Sequence, residues 1–345
     1  MTDLGDWARE RSAELLRRAE EEAIAMLRDA LVEAALAERH GKPGAARRRP
    51  PAPRRSEPAA SPASAEPAAK SPEARPEGDA IWAYCVLRAG DPVPEPLHGV
   101  DPAAPVKPVE DGGLAALTSK VPLAEFGEEP LRENLNDLVW LEQVARAHES
   151  VLERALAGGP IVPLRLCTIF ADESAVRGML AREGKQLSEA LERLDGRREW
   201  GVKLLVDRDA LAAAAHARSP EVARLQQEID ERSGGAAYML EQRLERLVRD
   251  LVDRLAGELA DDVHARLGDW AADSVLNPPQ NRELSGHEGE MLLNGAYLVE
   301  VERTEGLRRL LSELEDRHHD LGARLELTGP WPPYNFVSRE AAAPA

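Results

Sequence analysis

Hydrophobic positions recur with a helical period at the start of the chain. Between residues 4 and 40 they fall on every fourth position, with Glu and Arg on the other faces, which predicts an amphipathic helix that ends at Gly41. The stripe consists of Leu15, Ala19, Ala23, Leu27, Leu31 and Ala35. No neighbouring segment supplies a core, so the stripe either contacts another helix or a partner, or belongs to a solvated helix of marginal stability.

This periodicity is lost over residues 42–79, where nine prolines are separated by Ala, Ser and charged residues. Such a segment buries too little apolar surface to offset chain entropy, so it is predicted to be an extended, disordered linker. Five arginines between residues 47 and 55 form a local basic patch. The patch either contacts nucleic acid or an acidic partner, or is ordinary solvated linker charge, which is the simpler interpretation.

Helices and strands alternate from residue 80 onward. The first half reads as strand, hairpin, helix, strand, helix and strand, because apolar runs alternate with helical stripes and the hairpin turn contains Glu-Asp-Gly-Gly. The predicted ranges are 81–88, 106–109 with 114–121, 130–157, 161–170, 172–194 and 199–207. A four-stranded antiparallel sheet with two helices on one face satisfies this order, as in a ferredoxin-like α+β fold.

The second half is richer in helix. Ser219 and Pro220 are a helix start, and a long helix over 236–267 carries leucines at spacings of three and four, close to a heptad seam. We expect the long helix to pack against the one that begins at Ser219. The remaining predictions are strands at 272–276, 290–302 and 324–328 and a helix at 304–321.

These patterns predict five segments. They are an N-terminal amphipathic helix (1–41), a disordered linker (42–79), a ferredoxin-like α+β domain (80–208), a helix-rich α+β domain (209–337) and a disordered tail (338–345).

Composition narrows the class of protein. The formal charge is −18, which disfavours general affinity for nucleic acid or anionic membranes. The chain contains no run of about 18 apolar residues, so no membrane span is predicted. The first residues lack the pattern of a secretory signal. The two cysteines, Cys85 and Cys167, do not form a disulfide framework. The composition therefore predicts a soluble cytoplasmic protein.

No catalytic motif stands out. The chain has neither a phosphate-binding glycine loop nor a nucleophile elbow, and both cysteines fall in predicted strands, where buried inert thiols are expected. His148 lies near an apolar helix face and is interpreted as a packing residue. His287, with Glu288 and Glu290, is weak evidence for a metal site in a loop. We therefore expect no enzyme activity, no cofactor and no metal.

Two segments are unusual in another way. Arg165 interrupts an apolar strand, where it either pairs with a buried partner or points outward from an edge. Residues 327–337 place Trp331, Tyr334 and Phe336 among three prolines, in a chain with only 4% aromatic residues. Such a rigid loop either plugs the domain core or presents a contact surface.

The same segments carry a family resemblance. Residues 80–337 resemble the gas vesicle accessory protein F/L family (GvpF and GvpL). The matching motifs are Pro-Leu-Arg-Leu-Cys-Thr-Ile-Phe at 163–170, Gly196 with Glu-Trp-Gly-Val-Lys at 199–203, and Leu-Thr-Gly-Pro-Trp-Pro-Pro-Tyr-Asn-Phe-Val at 327–337. Supporting matches are His-Glu at 148–149, Gly-Gly-Ala-Ala-Tyr at 234–238 and Ala-Tyr-Leu-Val at 296–299. Residues 1–79 are an extension that the resemblance does not cover.

The resemblance implies two α+β domains, the first ferredoxin-like and the second a modified version with long helices. It also implies a non-enzymatic role in gas vesicle assembly, through contact with the small shell protein and with other accessory proteins. No membrane or nucleic-acid partner is expected, while self-association through the N-terminal or central helices is possible. The residues expected to contact a partner are Arg165, Trp331, Tyr334 and Phe336.

The alternative is a nucleic-acid-binding or regulatory protein that uses the ferredoxin-like sheet and the Arg-rich linker. It requires salt-sensitive RNA binding that is lost when residues 45–56 are deleted. The charge of −18 and the absence of a strand with interleaved aromatic and basic residues argue against this alternative.

The aromatic-proline loop generates the first testable prediction. Replacing Trp331 and Tyr334 by Ala is expected to lower binding of the shell protein, because their aromatic surface is lost, while circular dichroism stays native. Unchanged binding by a folded double variant would contradict a contact role for this loop.

Overall fold

The structure is a computed structural model that describes residues 78–279 and 289–337. The predictions for the N-terminal helix, for all but the end of the linker and for the tail from residue 338 lie outside the described residues, as do His287 and Glu288. The described chain is α+β, with two antiparallel sheets.

The first sheet has five strands in the order β2-β3-β1-β4, with β5 also paired to β1. The strands are β1 (Asp79–Arg88), β2 (Lys107–Asp111), β3 (Leu114–Pro122), β4 (Val162–Pro163) and β5 (Ile169–Phe170). The predicted hairpin is confirmed, since Gly112 and Gly113 supply φ angles of 56° and 83° for the tight turn. The strand predicted over 161–170 is wrong in its middle, where a turn separates β4 from β5.

Helices cover both faces of the first sheet. The helices of this half are α1 (Leu123–Phe126), α2 (Glu128–Asn134), α3 (Leu138–Gly158) and α4 (Glu173–Leu194). Ile81 and Ala83 share a core with α4, whereas Trp82 bonds to His148 of α3. Successive side chains of a strand point to opposite faces, so the prediction of both helices on one face is wrong. All side chains at residues 80–87 are buried, which requires cover on both sides.

Residue contacts group the chain into two units, and the described part of the smaller unit comprises Gly78 and residues 122–138. The helix predicted over 130–157 is interrupted here at residues 135–137. The amide Nδ2 of Asn136 donates to the carbonyl of Arg132 at 2.9 Å, and the backbone N of Asp137 donates to Asn134 O at 2.9 Å. Such local bonds compete with the helical ladder and account for the break.

The larger unit, residues 79–121 and 139–345, contains both sheets. The second sheet has the order β7-β8-β6-β9, formed by β6 (Arg197–Val206), β7 (Asp273–Asn277), β8 (Glu290–Glu300) and β9 (Ala323–Trp331). The prediction that residues 199–207 complete the first sheet is wrong. The ten-residue strand β6 pairs along most of its length with β8 on one edge and β9 on the other. The strands β4 and β5 of the first sheet have only two residues each with which to pair.

The described part of the second half contains four helices: α5 (Arg208–Arg218), α6 (Pro220–Asp230), α7 (Gly235–Trp270) and α8 (Thr304–Arg317). The predicted cap of α6 is confirmed, because Ser219 Oγ accepts from the backbone N of Val222 at 3.3 Å. The expected packing of α6 against α7 is also present, with Arg243 and Glu221 paired at 3.4 Å. The helix α5 was not predicted, since its run of alanines shows only a weak amphipathic pattern.

Two hydrophobic cores lie between the helices and the sheets. Leu187 and Leu191 of α4 share one core with β1 and with Ala296 and Leu298 of β8, so α4 packs against both sheets. The other face of the second sheet forms a separate core with α5, α7 and α8. None of the helices in the two described stretches is long and apolar enough to cross a membrane.

His148 on α3 is buried, with 1% of its surface exposed. Its Nδ1 accepts from Trp82 Nε1 at 3.0 Å, so its proton lies on Nε2, which is 3.3 Å from the carbonyl oxygen of Leu164. The predicted packing role is confirmed. Burial lowers the pKa of this imidazole to about 4, because a charged ring would be desolvated.

His148 should make the fold sensitive to mild acid. Its pKa in the native state, about 4, is below its ordinary value near 6.5, so the stabilisation is complete above pH 6.5 and is lost as pH falls toward 4. The shift corresponds to about 3 kcal/mol of unfolding free energy. Urea unfolding of the native protein and of His148→Gln should show this loss only in the former.

The exposed His216 provides the matched control. The His216→Gln variant should retain the acid sensitivity between pH 6.5 and 4. If His148→Gln loses stability with the same slope over this window, His148 is not the group responsible.

Candidate functional site: the C-terminal clasp and the helical arm

The aromatic-proline segment folds inward after β9. We call residues 332–337 the C-terminal clasp; it contains two buried prolines, Pro332 and Pro333, and a short 3-10 helix, Tyr334–Phe336. The clasp therefore belongs to the body of the larger unit.

Asn335 of the clasp holds a buried carboxylate. Glu199 on β6 is 0% exposed, and its Oε1 accepts from Asn335 Nδ2 at 2.7 Å. Its Oε2 accepts from the backbone N of the same asparagine at 3.1 Å. A carboxylate removed from water requires such donors, because an unsatisfied buried charge is costly. One residue of the clasp thus engages both oxygens of Glu199.

Two further contacts join the clasp to the helices of the first half. The hydroxyl of Tyr334 donates to Glu149 Oε1 on α3 at 3.0 Å, and Arg193 Nη2 on α4 donates to the carbonyl of Phe336 at 3.0 Å. The Phe336 ring is 6% exposed and belongs to the core shared by α4 and both sheets. The clasp therefore connects α3, α4 and β6, which are distant in sequence.

Trp331 lies at the end of β9, just before the clasp, and is half-buried. Its Nε1 donates to Thr328 Oγ1 at 3.1 Å. The opposing strand carries Gly201, where an added Cβ would lie 2.6 Å from that hydroxyl oxygen. Glycine is required there because Thr328 occupies the space a side chain would need.

Arg165 lies in the turn between β4 and β5 and is half-buried. Its carbonyl accepts from Thr168 N at 3.1 Å and from Thr168 Oγ1 at 2.7 Å. Cys167 in the same turn has a φ of 63°, which is uncommon for a residue other than glycine. Cys85 is fully buried, and desolvation raises the pKa of its thiol. Partner contact by Arg165, Trp331, Tyr334 and Phe336 stays a prediction, while Phe336 itself fills the core.

The second notable feature is a helical hairpin, residues 220–247, which we call the helical arm. Val222 and Leu225 of α6 are buried along its inner seam. The facing leucines of α7 are only half-buried: Leu240, Leu244 and Leu247. At the tip, Tyr238 and Met239 have 60% and 65% of their surfaces exposed. The tip therefore presents adjacent large apolar side chains to solvent.

Comparison with known proteins agrees with these motifs. Residues 80–338 match the family model described as gas vesicle synthesis protein GvpL/GvpF. The chain belongs to this family. The match includes every strand that the structure describes, except for the first residue of β1, and also the clasp and the arm.

Individual relatives extend this finding. The chain is 38% identical to gas vesicle protein L of Streptomyces sp. (strain CB03234) over 262 residues, which cover 74% of this chain and 92% of the relative. Gas vesicle protein F of the same organism is 33% identical over 263 residues, covering 75% and 99%. The crystal structure of GvpF from Anabaena sp. PCC7120 matches with a TM-score of 0.57 and 21% identity, covering 76% of this chain and 99% of that chain.

Sequence reasoning missed the arm tip. It singled out the Gly-Gly-Ala-Ala-Tyr motif only as a family match, although Tyr and Met after two glycines at a helix start could have indicated an exposed apolar tip. It also missed the partnership of Asn335 and Glu199, since 136 positions separate the two residues.

The clasp should contribute measurably to stability. Asn335→Ala removes the amide that donates to a buried carboxylate, and hydrogen bonds to charged groups contribute about 2 kcal/mol, so a loss of that order in urea unfolding is expected. Asn294→Ala is the matched control, because its amide makes only a surface bond of 3.4 Å to Pro278 O. Equal small losses in both variants would show that the clasp does not hold Glu199.

Proposed function

We propose that this protein is a non-enzymatic accessory factor of gas vesicle assembly, located in the cytoplasm and associated with gas vesicles. In this role it binds the small hydrophobic shell protein and other accessory proteins during nucleation or growth of the shell. The observation that carries the proposal is the family match over residues 80–338. Relatives named gas vesicle protein L and gas vesicle protein F support it.

The helical arm is the surface that best suits an apolar partner. Tyr238 and Met239 combine large apolar area with adaptable geometry, as residues that dominate protein interfaces do. The internal contacts of the clasp make it less suitable, because Tyr334 and Phe336 are engaged with α3 and the core. We therefore place the main contact at the arm tip rather than at the four residues expected from sequence.

The negative charge of the protein supports a role in keeping a hydrophobic shell subunit dispersed before assembly. Residues 1–77 carry fourteen basic and fourteen acidic side chains, so the whole formal charge of −18 belongs to residues 78–345. Like-charge repulsion keeps such a body dispersed while a local apolar tip engages its partner. The same charge weakens the alternative of nucleic-acid binding, for which loss of RNA binding on deletion of residues 45–56 remains the test.

We also propose a domain division for the part that the family match covers. In each sheet the order of strands, numbered along the chain, is second, third, first and fourth, which is the strand order of a ferredoxin-like sheet. The second sheet also has α5, α7 and α8 in one core on one face, which supports a ferredoxin-like arrangement there, whereas helices cover both faces of the first sheet. Because β6 pairs within the second sheet, the boundary predicted at residue 208 is better placed near Gly196. The N-terminal helix (1–41), linker (42–79) and tail (338–345) complete the proposed organisation.

The arm tip generates a test of the proposed function. Replacing both Tyr238 and Met239 by Ser should lower co-purification of the shell protein severalfold, because exposed apolar area is lost without disturbing a core. Circular dichroism and thermal unfolding should stay native, since both side chains are mostly exposed.

The Val301→Ser variant is the control, because Val301 is also exposed, at 48%, but lies outside the arm. It should leave co-purification unchanged. Undiminished recovery of the shell protein with the double variant, or an equal loss with Val301→Ser, would contradict binding at the tip.

A further inference from the structure

A surface groove lies at the base of the helical arm, between α5 and α7. Its volume is about 620 Å³. The apolar lining consists of Ala212 from α5 and of Leu244, Val248 and Val252 from α7. The last three recur at every fourth position, so they form one row on α7. At a rise of about 1.5 Å per residue, the row spans about 12 Å, or two helical turns.

The rim of the groove is charged. Arg208, Asp209 and His216 stand on the α5 side, and Glu245 and Arg249 stand on the α7 side. Arg208 is neutralised by two carboxylates, Asp253 at 2.8 Å and Glu290 at 3.0 Å. Asp209 and Glu245 therefore oppose the single remaining guanidinium, and the rim is weakly acidic within a strongly acidic body.

We propose that this groove binds an amphipathic helix of a partner protein, with an apolar stripe and a net positive charge. Two roughly antiparallel helices with a small residue between them leave the space that a third helix fills by ridges-into-grooves packing. The acidic body attracts a basic helix, and Asp209 and Glu245 pair with its Lys or Arg residues on either side of the stripe. This site goes beyond the proposed function, because it is separate from the arm tip and predicts a second kind of partner.

The shape and lining of the groove favour a helix over a small molecule. Its volume lies in the range of small-molecule pockets, but such pockets are mostly enclosed and fix their ligand with buried polar groups. Here all five charged or titratable lining residues are exposed, and the apolar row continues along α7 into the half-buried leucines of the arm. An extended, one-dimensional partner matches this geometry.

Fluorescence anisotropy with synthetic 18-residue helices tests the proposal on the full-length protein. The first peptide carries leucines at positions i, i+3, i+4 and i+7 with Lys on the flanks. The second has Glu on the flanks, and the third is a scrambled sequence of the first. The Lys-flanked helix should bind saturably, and the other two should bind at least about tenfold more weakly.

Two valine variants separate groove binding from general charge attraction. Val248→Glu and Val301→Glu add the same negative charge, but only the first places it in the groove. Val248→Glu should weaken the Lys-flanked peptide by about tenfold, whereas Val301→Glu should change its affinity less than about twofold. Equal affinities of the two variants, or equal binding of the scrambled or Glu-flanked peptide, would overturn the proposal.

A second variant covers the case in which Val248→Glu unfolds. The double change Asp209→Asn and Glu245→Gln alters only exposed residues and should weaken the Lys-flanked peptide severalfold at low salt. Unaltered binding by this folded variant would also overturn the proposal. The Tyr238 and Met239 variant should bind the peptide normally, so failure of the groove and failure of the shell-protein contact are distinguishable.

Discussion

The buried carboxylate of Glu199 is the constraint on which the arrangement of this unit depends. An acid with 0% exposure in a central strand is tolerated only if donors meet both oxygens, and Asn335 meets both. Meeting them requires the chain beyond β9 to turn back over β6. That return brings Phe336 into the core and Tyr334 to α3. One polar requirement thus determines where the end of the described chain lies.

The clasp also meets the helix that lies in the core shared by the two sheets. The helix α4 packs against β1 and shares its core with Ala296 and Leu298 of β8, and its residue Arg193 donates to the clasp. A helix that serves two sheets must be apolar on more than one stripe, and seven of its side chains are buried. Displacement of the clasp would therefore disturb packing in both halves of the unit.

Local signals in the sequence were sufficient for most elements. The paired glycines at 112–113 and the Ser-Pro start of α6 each predicted an element boundary, because their chemistry acts within a few residues. The sheet to which β6 belongs was not predictable in this way, since pairing with β8 and β9 involves residues about 100 positions away. The inward direction of the clasp likewise depends on a distant carboxylate. The helix α5 was not predicted because alanine, which dominates its sequence, has no strong preference for the buried or the exposed face of a helix.

The helical arm has a consequence for motion. From Val252 onward α7 carries buried side chains that belong to the core of the second sheet, whereas no side chain between Gly235 and Leu247 is buried among the residues that the structure describes. Those thirteen residues extend about 20 Å, and only their last turns, at Leu244 and Glu245, line the groove shared with α5. Segments with few buried contacts open at lower free energy than a sheet core. The arm is therefore expected to unfold and refold independently of the sheets. Its tip would then sample a larger volume around the protein while the rest of the unit stays folded.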